Sequence, residues 1–272
     1  MQEQKLASQL VRAHGQVSFF VARTMIMSFL AFVGSMMLLP VGQVHAQEVH
    51  LTSSSRMNAV VYDVTHHRYF GYNAPSQFIT GSSMKVPIML TFLDMIERQG
   101  RGPTAREMGL LKTMIENSNN DSASALYYGE IGGAAGVTRF LQRIGISGLY
   151  PNSRAWGWSL ITPLTMVKLL RRLYEGSILT AHDRRLALSL MEHVETDQRI
   201  GVGDTAPEGA IVAMKNGWVP APNGLWAMNS SGIVMSDRET YIVAVYTQDN
   251  PSLGAGQTIV RRVCRRVASR LF

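Results

Sequence analysis

The sequence predicts an α+β fold: one antiparallel sheet built from strands near both ends of the chain, helices covering it, and an all-helical lobe inserted between. Two patterns carry that expectation. Apolar residues alternate in short runs at 57–64, 69–72, 211–214, 225–235 and 241–247, whereas the long middle repeats them at helical spacing. With 46% apolar and 17% charged residues, the 272-residue chain can build a core without staples.

The elements follow in order. Lys5, Arg12 and Arg23 precede an apolar run from Thr24 to Leu39, then Pro40 and the small-residue pattern Val44-His45-Ala46. This is the layout of an export signal cleaved after Ala46, or of an uncleaved single-span anchor. Residues 1–46 therefore read as a signal peptide or membrane anchor and 47–272 as one folded domain outside the cytoplasm, acting as a monomer. Met57 to Val64 and Tyr69 to Tyr72 form a hairpin about the turn Thr65 to Arg68. His66 and His67 are adjacent and face opposite ways on extended backbone, so they read as turn residues and no metal is expected.

From Ser82 to Arg98, the positions Val86, Met89, Leu90, Leu93 and Ile96 mark a helix that Gly100 to Pro103 ends. Further helices are expected at 105–116, 121–130, 134–143, 163–174 and 183–194. Thr162 caps the fifth of these six, and Pro163 sits at its first position. Three strands come next, with Trp218 to Gly224 as a turn, and a helix at about 256–271 closes the chain. That helix carries Arg261, Arg262, Arg265, Arg266 and Arg270, read as a solvated basic face rather than a nucleic-acid site.

Charge and cysteine narrow the setting. Residues 1–46 hold three basic residues and one acidic, so the rest has 23 basic against 18 acidic, a net +5 that suits an anionic wall or lipid surface and equally serves simple solubility. Cys264 is the only cysteine, so no intramolecular disulfide can form. There is no repeat, no Gly-rich phosphate loop and no sign of a cofactor.

Three short motifs carry chemistry. In Ser82-Ser83-Met84-Lys85 a serine and a lysine three apart share one helix face, where a desolvated lysine can deprotonate a hydroxyl. Ser118-Asn119-Asn120 puts polar side chains at a turn between helices. Lys215-Asn216-Gly217-Trp218 ends a strand with a fixed cation beside a glycine that permits close backbone approach. Each motif alone is weak, since helix caps give the same letters.

In this order and context the three resemble the S-x-x-K, S-x-N and K-T-G signature of the class A β-lactamase and penicillin-binding serine hydrolases over roughly residues 57–272. The resemblance implies a β-lactamase/transpeptidase-like fold and covalent acyl transfer. Position by position it makes Ser82 the nucleophile, Lys85 its base and Ser118 the proton relay. Asn120 would hold the substrate amide, Lys215, Asn216 and Gly217 would face its carboxylate, and the amides of Ser82 and Trp218 would form the oxyanion hole. The partner implied is a β-lactam or a D-Ala-type cell-wall peptide.

The sequence departs from that pattern in three ways. No Asp or Glu lies between Glu130 and Glu175, so the glutamate that frees the acyl-enzyme in class A β-lactamases is missing, and slow deacylation is expected. Asn216 replaces a hydroxyl residue, and the stretch from Ser82 to Ser118 is short. These departures keep two other readings in view: a non-catalytic module that binds cell-wall peptide, and an esterase on the same scaffold.

Overall fold

The computed structural model describes residues 55–72, 76–221 and 223–271. The segment 1–46, expected to be a signal peptide or membrane anchor, lies outside the described residues. A five-stranded antiparallel sheet runs in the order β2-β1-β8-β7-β6, from β1 (Arg56–Asp63), β2 (Arg68–Tyr72), β6 (Ile211–Pro220), β7 (Trp226–Met235) and β8 (Thr240–Asn250). The first and last strands in sequence meet in its middle, with Asn58 opposite Tyr246. Between β2 and β6 come α1 (Lys85–Arg98), α2 (Ala105–Ile115), α3 (Asn120–Ser124), α4 (Gly133–Arg143), α5 (Pro163–Glu175) and α6 (Ala181–Glu192); α7 (Leu253–Leu271) follows β8. Among the described residues, no helix is long and apolar enough to cross a membrane.

Strand alternation divides the core in two. Ile242, Ala244 and Tyr246 of β8 join Val60 and Tyr62 in a large cluster with the helical lobe. Tyr241, Val243 and Val245 face the other way and pack with Val260 and Cys264 of α7. Helix α1 is the hub of the larger cluster. Val86, Ile88, Met89, Leu90, Phe92, Leu93 and Ile96 have no exposed surface, the mark of a helix apolar all round and buried all round. Thr162 and Pro163 start α5 as the sequence predicts, with the threonine hydroxyl accepting from the Thr165 amide.

Three expectations need correction, and one feature was not expected. The segment expected as one helix from Ser82 begins as a 3-10 turn, Gly81–Met84, and becomes α-helical only at Lys85. The helix expected over 121–130 is α3 followed by a π-turn, Ala125–Glu130. Strand β6 continues through Trp218 to Pro220, where a turn was expected; as an edge strand it tolerates a terminal proline that needs no partner. A second sheet, β3 (Phe78–Ile79), β5 (Leu160–Ile161) and β4 (Leu149–Tyr150), was not foreseen, because two-residue strands leave no periodicity to read.

Strand β6 lies so close to the 3-10 turn that neither can carry a side chain at the contact. A Cβ on Gly217 would sit 2.2 Å from the Thr80 carbonyl oxygen and 2.8 Å from the Ser82 nitrogen. Gly81 (φ +51°) faces back across the gap, where a Cβ would meet the Trp218 nitrogen at 2.8 Å. Gly217→Ala is expected to lower stability by about 1–3 kcal/mol as the two backbones are forced apart. An unchanged urea midpoint for that variant would show that the contact can relax.

Candidate active site

The two segments that meet at Gly217 bring the first and third motifs together, and the turn before α3 adds the second. In a 3-10 turn residues three apart eclipse, so Lys85 stands directly over Ser82 and its Nζ donates to Ser82 Oγ at 2.9 Å. The same amine reaches the Ser118 carbonyl oxygen at 2.6 Å, Ser118 Oγ at 3.0 Å and Asn120 Oδ1 at 2.8 Å. The second motif thus divides its work. Asn119 caps α3 by accepting from the Ser122 amide at 2.8 Å, and the residues on either side of it turn to Lys85. To do so Ser118 adopts φ +55°, a left-handed conformation costly to a residue with a Cβ.

Lys85 and Lys215 are both fully buried. Burial pulls the Lys85 amine from its ordinary value near 10.5 to about 7, and the charge of Lys215 adds to the fall. Burial likewise takes Lys215 to about 7, with Glu195 opposing it. So lowered an amine loses its proton far more readily at neutral pH than an exposed lysine and can accept one from a hydroxyl 2.9 Å away. The arrangement puts a hydroxyl in contact with an amine able to act as a base, and a second hydroxyl on the same amine.

Ser82 and Asn120 line a cleft of about 360 Å³ whose walls include Ser124, Tyr128, Trp156 and Trp218. Lys215, Asn216 and Gly217 do not line it. Lys215 donates only a long bond, 3.4 Å, to the carbonyl oxygen of Asn216. The Asn216 side chain points to the opposite side of β6 and donates to the Gln198 carbonyl oxygen at 2.6 Å. In this structure, then, the residues expected to face a carboxylate are sealed beneath the cleft, because alternation along β6 and the close contact at Gly217 leave them no opening.

Sequence reasoning missed two features. Glu195 accepts from Asn117 Nδ2, and Gln198 Nε2 donates to the Asn117 carbonyl oxygen at 3.1 Å, tying the segment after α6 to the second motif. Trp156 stands over Lys85 with its ring centroid 5.0 Å from Nζ. Nothing local to either residue signals these contacts, which join segments far apart in the chain.

Elsewhere, Asp63, His66 and Glu239 bring three metal-type ligand atoms within 4.8 Å at the hairpin end of the sheet. His66 does lie in the turn, as expected. Asp63 is engaged there by the His66 amide at 2.9 Å, by His66 Nδ1 at 2.9 Å and by Arg68 at 3.2 Å, so the group locks the hairpin. A second cavity, about 340 Å³ between α1 and α4, holds Arg98, Arg139 and the Asp94–Arg143 ion pair but none of the motif residues.

The buried amines set a pH dependence of stability. A lysine with a folded value near 7 binds fewer protons than the unfolded chain between about pH 7 and 10.5, so its contribution rises with pH across that window. Lys215→Met is expected to flatten that rise and to stabilise the protein at pH 7 by about 1–3 kcal/mol, since it removes a poorly bonded buried amine. Thermal melts of both proteins at pH 7 and 9 test this. A lower melting temperature for the variant at pH 7 would show that Lys215 supports the fold.

The sequence profile of the beta-lactamase enzyme family matches residues 102–271, more than half of the chain, taking in the second and third motifs and beginning after the first. The protein named "Putative lipoprotein LppW" in Mycobacterium tuberculosis and in Mycobacterium bovis is 24% identical over 202 residues. That match covers 70% of this chain, which spans 63% of the relative's length. Among solved structures, TLA-1 extended spectrum beta-lactamase superposes with a TM-score of 0.72 at 19% identity, over 80% of this chain and 93% of that one. A beta-lactamase from Chitinophaga pinensis gives 0.71 at 19% over 80% and 94%, and the chromosome-encoded beta-lactamase of Vibrio parahaemolyticus 0.70 at 18% over 80% and 94%. At such identities the structures establish the fold, and with the profile match they settle the classification: the chain belongs to the β-lactamase enzyme family, on the serine hydrolase fold that its motifs had suggested.

Proposed function

We propose that the chain is an acyl-transfer enzyme working outside the cytoplasm, in which Ser82 attacks a β-lactam or D-Ala-type peptide carbonyl and the acyl-enzyme is released slowly. One observation carries the reading: Lys85, with a value near 7, contacts both Ser82 Oγ and Ser118 Oγ. Lys85 takes the Ser82 proton as Oγ adds to the carbonyl carbon. Ser118 then passes a proton to the departing nitrogen as the C–N bond breaks. The amide nitrogens of Ser82 and Trp218, which border the gap kept open by Gly81 and Gly217, serve the oxyanion. Lys215 acts through its field, which holds the Lys85 value down, and Asn120 steadies the substrate amide from the cleft wall.

The setting is supported by the apolar run at 24–39 and by the lipoprotein name carried by the mycobacterial relative.

A second reading, an esterase, is favoured by the cleft itself. None of its lining residues is charged, and three are aromatic, which suits an uncharged acyl ester better than a carboxylate-bearing substrate.

Incubating the full chain with benzylpenicillin, and separately with a short-chain chromogenic ester, distinguishes the two by intact mass and by product release. The expected result is an adduct on Ser82 whose formation rate rises with pH through about 7, as Lys85 loses its proton. Ser82→Ala is expected to abolish the adduct with the fold intact, and Lys85→Ala to slow its formation by at least ~100-fold. Ester hydrolysis with no penicillin adduct would favour the second reading. Prompt adduct formation by Lys85→Ala would remove Lys85 as the base.

A further inference from the structure

We infer that Trp156 is the positioning residue that makes deacylation slow: its indole closes the side of the Ser82–Lys85 pair from which Lys85 could present a water to an acylated Ser82. The inference rests on the proposed acyl transfer at Ser82. The Lys85 amine is directed to four oxygen atoms, at 2.6–3.0 Å, from Ser82, Ser118 and Asn120. The Trp156 ring stands against the same amine, its centroid 5.0 Å from Nζ, and lines the cleft beside Ser82. A water between them needs about 2.8 Å to the amine for a hydrogen bond and about 3.3 Å to the ring for van der Waals contact, roughly 6 Å in all. The gap holds none.

The indole is fixed in place. Its Nε1 donates to Ser124 Oγ at 3.1 Å, and its backbone forms the 3-10 turn Trp156–Trp158. Buried Ser159 closes that turn by donating to the Trp156 carbonyl oxygen at 2.7 Å. Asn152 Oδ1 accepts from the amides of Arg154 and Ala155, and the Tyr127 and Tyr128 hydroxyls donate to the carbonyl oxygens of Asn152 and Arg154 at 2.9 and 2.8 Å. A ring held by its own hydrogen bond, on a loop whose backbone is braced at several points, can exclude solvent where a loose one would not.

The loop also offers no substitute base, because residues 149–161 contain no Asp, Glu or His. Deacylation requires a water oxygen to add to the ester carbonyl while a base takes its proton. The C–Oγ bond then breaks, Ser82 Oγ recovers a proton and the acyl group departs as the free acid. Trp156 denies the water its place beside the one amine that could deprotonate it.

The test compares wild type with Trp156→Phe, Trp156→Ala and Trp156→Glu, using benzylpenicillin and the full chain. Intact mass gives the rate of adduct formation and, after excess penicillin is removed, the adduct half-life; melting temperature is recorded for each. Phenylalanine is expected to keep the half-life within about threefold. Alanine should shorten it at least ~10-fold, and glutamate, which adds a carboxylate beside Lys85, should shorten it further and release hydrolysed lactam in excess over enzyme. A merely structural tryptophan would lower melting temperature and acylation together and leave the half-life alone. Normal acylation with unchanged half-lives in the alanine and glutamate variants overturns this inference. An absent wild-type adduct overturns the acyl-transfer reading and takes this inference with it.

Discussion

Two lysine amines are held out of water in neighbouring positions, and much of the site exists to make that tolerable. A buried ammonium is costly, which is why burial pulls both Lys85 and Lys215 to about 7, and at Lys85 the charge of Lys215 adds to the fall. Lys85 is accommodated by its four oxygen contacts and by its place at the start of α1, the most deeply buried helix of the lobe. Lys215 has far less, a single long bond to Asn216 and the field of Glu195. The stability of the core around α1 supports an arrangement that isolated side chains would not adopt.

Backbone geometry gives the site its precision. Gly81 and Gly217 let the 3-10 turn and β6 approach until no Cβ fits between them, and Ser118 accepts a left-handed conformation to turn its oxygens towards Lys85. Each of these is unfavourable locally and is held by its surroundings. Ser118 follows an Asn117 tied to Glu195 and Gln198, while Gln198 in turn accepts from Asn216 on β6. The second and third motifs are therefore braced against each other from behind, by residues that never reach the cleft.

That bracing explains which parts were legible in the sequence. Alternation and helical spacing place all five strands of the main sheet and the helix hub, since burial imposes a period on those segments. The Ser82–Lys85 pairing is equally legible, because a spacing of three brings two side chains together on either a 3-10 turn or an α-helix. Which of the two forms occurs was not, because it depends on how β6 crowds Gly81. Orientation at the third motif was also hidden: the motif names Lys215 and Asn216, but only the assembled sheet shows that neither opens onto the cleft. Nothing in the sequence around Trp156 singles it out, and its meaning lies in the side chain it faces.

In the proposed reaction, acylation and deacylation are the same chemistry run against different nucleophiles. The oxyanion site and the Lys85 amine can serve both, so they cannot by themselves make one half fast and the other slow. What differs is the nucleophile: Ser82 is covalently delivered to the carbonyl, whereas water has to be given a place and a base. A family member can therefore keep every group that touches the first step and still differ in outcome through a residue with no acid–base chemistry at all. If Trp156 acts as inferred, an indole packed against the base separates a molecule that captures its substrate from one that turns it over.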